Sequence, residues 1–171
     1  AFGHTVRPYV VAPATTALLP PMATGVHTFT RAAPPVFARG YLEAIRDDEI
    51  ERMEAEQATR TDGVHGHVHR VAYVSETNPD ARFHAYVHGQ TGLVGRFGVK
   101  ARLATVDDFV ADALQGDMGL TSPLRPHELP NPDGLADDAL AGDDVALDDV
   151  NELADYVRLL DVPRRTGLTD A

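Results

Sequence analysis

One helix of this chain is marked at both ends by its own sequence, and it lies between two glycine-containing loops. Thr105, with Asp108 three residues later, matches the capping-box pattern of a helix N-terminus. Gly116 stands where a left-handed C-terminal cap is expected. Between them, apolar residues recur at helical spacing: Val106, Phe109, Val110, Ala113 and Leu114. The stretch 95–124 therefore predicts an amphipathic helix with a loop on each side.

The two loops have unusual sequences that helix formation does not require. They read GRFGVKA over residues 95–101 and GDMGLTSPL over residues 116–124, and a third phrase, YVRLLDVPRR, covers residues 156–165. In amino-acid sequence, order and approximate spacing, these phrases resemble those of the di-haem oxidoreductase family of periplasmic c-type cytochromes. That family has a GRFGWKA phrase, a helix, a GDMGITSPL phrase and a later helix close to YLRLLAVPARR. The resemblance covers about residues 34–165 and is absent before them.

Cysteine is absent from all 171 residues. The family that the chain resembles attaches its haems through CxxCH motifs, so the resemblance brings no haem site with it. A chain without cysteine also forms no disulfide, CxxC redox site, zinc–thiolate site or thioether-bound haem. The lack of cysteine is compatible with any compartment, so the expected periplasmic or extracytoplasmic location follows from the resemblance alone.

Composition narrows the class of protein. A length of 171 residues with 43% hydrophobic residues suits one globular domain with a core of its own. The net charge of −11 argues against nucleic acid or an anionic membrane as the main partner. No apolar run approaches the roughly 18 residues of a membrane span. The first residue, Ala1, suits a processed protein and a fragment equally.

The chain divides into an arm, a domain and a tail. Residues 1–35, rich in Pro, Ala and Thr, are predicted to form an extended arm. Residues 36–165 form the predicted domain, and residues 166–171 the tail. The domain is expected to begin with two helices, the second capped by Asp47. Arg46 stands where the family has proline, which predicts a soft break between them. The first helix carries an apolar stripe: Phe37, Tyr41, Leu42 and Ile45.

The middle of the domain changes to the alternation of a strand. Residues 68–74 are rich in β-branched and aromatic side chains, and residues 83–87 alternate between apolar and polar. Turn signals precede and separate the two stretches, so we predict that they pair in a hairpin. After a long acidic loop over residues 125–144, a last helix starts at Asp148 and ends at Pro163. Its predicted buried face is Val150, Leu153, Ala154, Val157 and Leu160. The expected fold class is mainly α with a small β-hairpin, a cytochrome-c-like helical remnant.

Met118 is the first candidate functional residue. Domains of c-type cytochromes often supply an axial methionine from a loop that precedes a C-terminal helix, which is the order found here. Because this chain has no CxxCH motif, the haem c would be carried by a partner. The alternative is a buried loop methionine that fills space in the core.

A group of histidines is the second candidate. His65, His67 and His69 alternate along the chain, so in an extended strand their imidazoles project from one face. His84 and His88 lie on the strand predicted to oppose them. Imidazole clusters suit Zn²⁺ or Cu²⁺. The family phrase lacks these histidines, so the resemblance supports no metal here, and solvated strand histidines are the alternative.

Carboxylates and serines give weaker candidates. Asp62 with Asp47 and Asp48 could bind Ca²⁺, as could the acidic loop with Asp133, Asp137, Asp138, Asp143 and Asp144, but no EF-hand pattern is present. A solvated acidic loop is the alternative. The two serines, Ser75 and Ser122, belong to no GxSxG motif, and the chain has no P-loop or GxGxxG, so nucleophilic catalysis lacks support.

Three functional hypotheses follow. The first is a haem-less, non-catalytic accessory subunit of a periplasmic or membrane-associated electron-transfer complex, with other protein subunits as partners. The second is one piece of a split or cleaved cytochrome that supplies Met118 to the haem c of a partner. The third is a metal-binding protein that uses the histidine strand. We expect no cofactor in this chain itself. We also expect that it is not an enzyme on its own, an expectation that rests on the lack of catalytic motifs.

Overall fold

The computed structural model describes residues 10, 12–17, 19, 24–25, 27, 35–135 and 141–164. The described residues form four α-helices and two short strands: α1 Arg39–Ala44, α2 Asp47–Ala58, β1 Arg70–Val71, β2 Leu93–Val94, α3 Val106–Ala113 and α4 Leu147–Leu159. The predicted fold class, mainly α with a small β element, is confirmed. Most of the predicted arm, together with Asp137, Asp138 and the predicted tail, lies outside the described residues.

α3 and α4 pack together at the centre of the main core. As predicted, Thr105 caps α3, because its Oγ1 accepts a hydrogen bond of 3.1 Å from the backbone N–H of Asp108. The Asp108 carboxylate does not complete the capping box. It accepts a hydrogen bond of 2.6 Å from the Ser75 hydroxyl instead. The core cluster consists of Phe97, Leu103, Val106, Val110, Ala111, Leu114, Leu124, Val150, Ala154 and Val157.

The predicted cap of α3 at Gly116 is wrong. The chain continues from α3 into a π-helical turn, Leu114–Met118, which contains Gly116. Gly119 is the left-handed residue that ends the turn, with φ of 76°. The wider π turn carries the chain past Gly116, and Gly119 is then a residue that can adopt positive φ at no steric cost.

The predicted strand pairing is also wrong. β1 lies within the first predicted strand, but its antiparallel partner is β2, with Arg70 opposite Val94 and Val71 opposite Leu93. Residues 83–87 form no strand. Burial decides the pairing, because both residues of β2 are buried, whereas Phe83 and Val87 are 63% and 53% exposed. β1 and β2 bring together a second small core cluster: Val71, Tyr73, Leu93 and Ala104.

α1 turns its acidic residue inward and its apolar stripe outward. Glu43 is the buried residue of α1, while the whole predicted stripe is exposed: Phe37, Tyr41, Leu42 and Ile45. The break before α2 is sharp rather than soft, since Ile45 and Arg46 are both extended. Arg46, not Asp47, is the N-cap residue of α2.

α4 differs from its predicted helix at both ends and on one side. It begins at Leu147 and ends at Leu159, before Pro163. Three residues of the predicted face are buried, but Leu153 is exposed and Leu160 is half-buried. α4 therefore contacts the core through a narrower face than its sequence indicates. In the described part of the chain, no helix has the length and apolarity needed to cross a membrane.

A buried ion cluster joins α1, α3 and α4. Nε of Arg158 donates to Glu43 at 2.6 Å, and the same guanidinium donates to Asp107 at 2.5 Å. Glu43 also accepts a hydrogen bond of 2.9 Å from the backbone N–H of Val106, at the N-terminus of α3. Gly40 packs against the backbone carbonyl of Arg158 so closely that no Cβ fits there. α1 can bury Glu43 because the guanidinium of α4 neutralises it.

Replacing Arg158 by methionine tests this cluster. The change leaves Glu43 and Asp107 buried without their cation, so we expect the free energy of unfolding to fall by about 3–5 kcal/mol. Urea denaturation followed by circular dichroism measures the loss. The matched control is Arg46→Met, which breaks an exposed ion pair with Asp48 and should leave the urea midpoint unchanged. Equal losses in the two variants would contradict the assigned role of Arg158.

Candidate functional site

The GRFGVKA phrase forms a tight turn beneath the junction of α1 and α2. Phe97 is fully buried, and its backbone bridges to Leu103 across the turn. Lys100 and Ala101 have left-handed φ angles of 62° and 50°, and Gly95 faces the Ala101 carbonyl where no Cβ fits. The geometry of this turn therefore requires glycine at position 95.

Arg96 of the same phrase holds the two N-terminal helices in place. Its guanidinium donates to the carbonyl of Leu42 at 3.0 Å and forms an ion pair with Asp47. These contacts connect the end of α1 and the start of α2 to the turn. Asp47, a candidate calcium ligand from the sequence, is thus a partner of a buried arginine.

A second buried cluster lies around Asp108. Its Oδ1 accepts hydrogen bonds from Arg125 at 2.7 Å and from the Ser75 hydroxyl at 2.6 Å, while Nε of Arg125 donates to the Ser75 hydroxyl at 2.7 Å. Arg102 forms an ion pair with the neighbouring Asp112. Burial raises the pKa of nearby Tyr73, and the negative charge of Asp108 raises it further. The cluster connects α3 to the turn that ends the GDMGLTSPL phrase.

This cluster does not make Ser75 a nucleophile. Both serines, Ser75 and Ser122, are fully buried, so no substrate reaches their hydroxyls. Nδ1 of His88 lies 3.0 Å from the backbone carbonyl of Ser75 rather than at its hydroxyl. The arrangement is that of a packed polar core.

Met118 is the last residue of the π turn and is 67% exposed. The alternative of a buried methionine that fills the core is therefore wrong. Asp117 beside it is also exposed. The position leaves the thioether side chain accessible to another molecule.

The second half of the GDMGLTSPL phrase is tied to the segment before α4. The backbone N–H and the hydroxyl of Thr121 each donate to Asp144 Oδ2 at 2.8 Å, and the Asp144 backbone N–H donates back to the hydroxyl at 3.1 Å. These hydrogen bonds lower the pKa of Asp144, and the bond from the Thr121 backbone N–H has the largest effect. Asp144 is therefore a structural partner of the phrase.

The five candidate histidines have different partners. Three ring nitrogens lie close to backbone carbonyls: Nδ1 of His65 at Gln57 (2.7 Å), of His69 at Lys100 (2.8 Å) and of His88 at Ser75 (3.0 Å). His67 lies 3.5 Å from Glu54, and His84 stacks on Tyr86. The strand pairing that would have opposed them is absent. Among the described residues, no group of three or more His, Cys, Asp or Glu is placed to hold a metal ion.

Asp48, Asp62 and Asp133, three more candidate calcium ligands, also have protein partners. Asp48 and Asp62 pair with Arg46 and Arg60, which lie beside them in the sequence. In the acidic loop, Asp133 accepts hydrogen bonds from the backbone N–H groups of Thr15 and Thr16 at 2.6 and 2.9 Å. Hydrogen bonds from Thr16 and Thr15 lower the pKa of Asp133 to about 2. This contact attaches a described piece of the predicted arm to the domain.

Comparison with known families decides the ancestry of these phrases. A family model described as "Di-haem oxidoreductase, putative peroxidase" matches residues 21–167. The chain belongs to this family. The match begins before residue 34, where the resemblance of the phrases starts, and so includes part of the proline-rich segment. No curated protein and no solved structure matches the chain. Membership of the di-haem oxidoreductase family indicates a role related to electron transfer.

The residues of this di-haem oxidoreductase relative do not fit a covalently bound haem c. Thioether attachment needs cysteines, and the sequence contains none. Two depressions of about 400 and 300 Å³ lie at the surface of α2, and polar or charged side chains such as Glu56 and Arg60 line both. A porphyrin needs a mostly apolar slot. Any haem c of this family would have to be attached to cysteines outside this sequence.

The exposure of Met118 predicts that its replacement has little effect on stability. Met118→Ala should leave the free energy of unfolding unchanged, because the side chain contributes little to the core. Leu124→Ala in the same phrase should lower it by about 2–5 kcal/mol, since Leu124 is fully buried. Thermal and urea denaturation measure both. A large loss in Met118→Ala would show that this side chain packs inside the protein.

The lowered pKa of Asp144 predicts a dependence of stability on pH. The folded-state pKa lies below the value of about 3.9 for an unfolded aspartate. Asp144 therefore stabilises the fold above that value and loses this contribution as pH falls through the folded-state pKa. The urea midpoints of wild type and Asp144→Asn should differ near pH 7 and converge in acid. Asp143→Asn, next to it in the chain, is the control that should follow wild type throughout. A constant difference at all pH values would contradict the role of the charge.

Proposed function

We propose that this chain is a haem-less, non-catalytic accessory subunit that binds the haem-carrying subunit of a periplasmic or membrane-associated electron-transfer complex. One observation carries the proposal: the chain belongs to a family of haem proteins yet contains no cysteine. If this subunit takes part in electron transfer, the redox centre must be attached elsewhere. Residues 36–165 would be the domain that binds, with residues 1–35 as an arm and residues 166–171 as a tail.

The interior contacts of the family phrases support a scaffold role. Arg96, Arg125 and Arg158 lie in these phrases or directly after one of them, and each binds carboxylates of the same chain. Such buried pairs are costly to break and hold their partners in one geometry. The phrases are thus used for packing within this chain.

Met118 supports a second candidate function. Its exposed position at the end of the π turn would allow its sulfur to reach an iron atom outside this chain. Methionine sulfur is an axial ligand of haem iron in cytochromes c. In that role this chain would complete the coordination of haem c in a partner, as one piece of a split cytochrome.

Purification of the complex tests the main proposal. The tagged chain is isolated under mild conditions, and its absorption spectrum is measured before and after the subunits are separated in denaturant. We expect a Soret band in the complex, covalent haem on another polypeptide and a colourless chain after separation. Covalent haem on this chain, or a complex without haem, would overturn the proposal.

The same complex tests the role of Met118. Met118→Leu should remove the charge-transfer band of methionine-ligated ferric haem, because leucine supplies no sulfur ligand. The control is Met53→Leu, at another exposed methionine. An unchanged band in Met118→Leu would exclude the second candidate and leave the scaffold role intact.

A further inference from the structure

A patch of exposed apolar side chains surrounds the last turns of α4. Tyr156 and Leu159 of α4 are 60% and 83% exposed, and Tyr41 of α1 is 61% exposed. The Tyr41 hydroxyl donates to Asp161 at 3.1 Å, directly after α4, so the two helices meet at this end. We call this surface the α1–α4 patch and define it by five exposed residues: Tyr41, Leu153, Tyr156, Leu159 and Val162.

The α1–α4 patch follows from the way α1 is oriented. Arg158 draws Glu43 into the interior, and the opposite side of α1, with Tyr41, then faces solvent. Contiguous exposed apolar side chains are unfavourable in water and mark interaction surfaces in soluble proteins. Tyrosine is also among the residues that contribute most binding energy at protein interfaces. The exposure of these apolar side chains is therefore explained if another surface covers the patch.

The same outer face of α4 is acidic at its other end. Asp148, Asp149 and Glu152 are exposed, and no described residue forms an ion pair with any of them. Helical spacing places Asp149 one turn before Leu153, and Glu152 one turn before Tyr156. A strip of three carboxylates thus leads directly into the apolar patch.

We propose that the α1–α4 patch, with its acidic strip, is the docking surface for a separate haem-bearing polypeptide that presents apolar side chains beside lysine or arginine. That the partner carries haem rests on the proposed function. The apolar and basic character of its binding surface is inferred from the patch and the acidic strip alone. Cations of the partner would neutralise the strip and accelerate encounter, and apolar contacts would hold the complex. A second copy of this chain fits less well, because its own net charge of −11 supplies no excess of cations.

Titration of the ¹⁵N-labelled chain with a purified basic single-haem cytochrome c tests the proposal. We expect NMR shift changes concentrated in α4 and around Tyr41, with an affinity that falls as salt rises. Leu159→Ser and Tyr156→Ser should weaken binding about tenfold or more. The matched control is Val64→Ser, at a residue that is 67% exposed and lies outside the patch. Circular dichroism verifies that each variant is folded.

Other outcomes separate the surface from the proposed function. Shift changes that map elsewhere on the chain would overturn the docking surface and leave a haem-bearing partner in place. Binding of a haem-free basic amphipathic peptide at the patch, without binding of the cytochrome, would contradict the proposal that the partner carries haem. Binding of neither probe would overturn the proposal, as would a dimer, seen by light scattering, that Leu159→Ser dissociates.

Discussion

The ion cluster around Arg158 is the interaction on which the arrangement of the helices depends. A buried carboxylate without a partner is too costly for a protein interior, and Glu43 and Asp107 both pair with the guanidinium of Arg158, which offsets part of their combined charge. Glu43 in turn binds the backbone N–H of Val106 and so caps α3 from outside that helix. One cation therefore sets the orientation of α1, the start of α3 and the position of α4.

The phrases that identify the di-haem oxidoreductase family have structural roles in this chain. Gly95 lies where only hydrogen fits against the Ala101 carbonyl, and Thr121 binds Asp144. Arg125, directly after one phrase, donates to both Ser75 and Asp108. Each of these residues is used in packing or hydrogen bonding within the chain. A chain without cysteine can therefore retain these sequence phrases of the family. The scaffold role proposed above rests on these interior contacts.

Three of the failed predictions share one cause. Alternation along residues 83–87 indicated a strand, but alternation says nothing about which partner buries more apolar surface, and β2 buries both of its residues. The opposed histidine arrangement depended on that pairing and is lost with it. In α1, the apolar stripe predicted a buried face, whereas the attraction between Glu43 and Arg158 turned the helix the other way. Long-range burial and charge neutralisation overrode local pattern in each case.

The sequence by itself determined the features that depend on neighbouring residues. These are the N-terminal cap of α3 at Thr105, the apolar face of α3, the family phrases and the absence of cysteine. Only the tertiary structure decided that Met118 faces solvent, that β1 pairs with β2, and that the apolar side of α1 is exposed. The physical reason is separation along the chain. A cap forms within one turn, whereas Glu43 and Arg158 are 115 residues apart, and their attraction exists only once the helices meet.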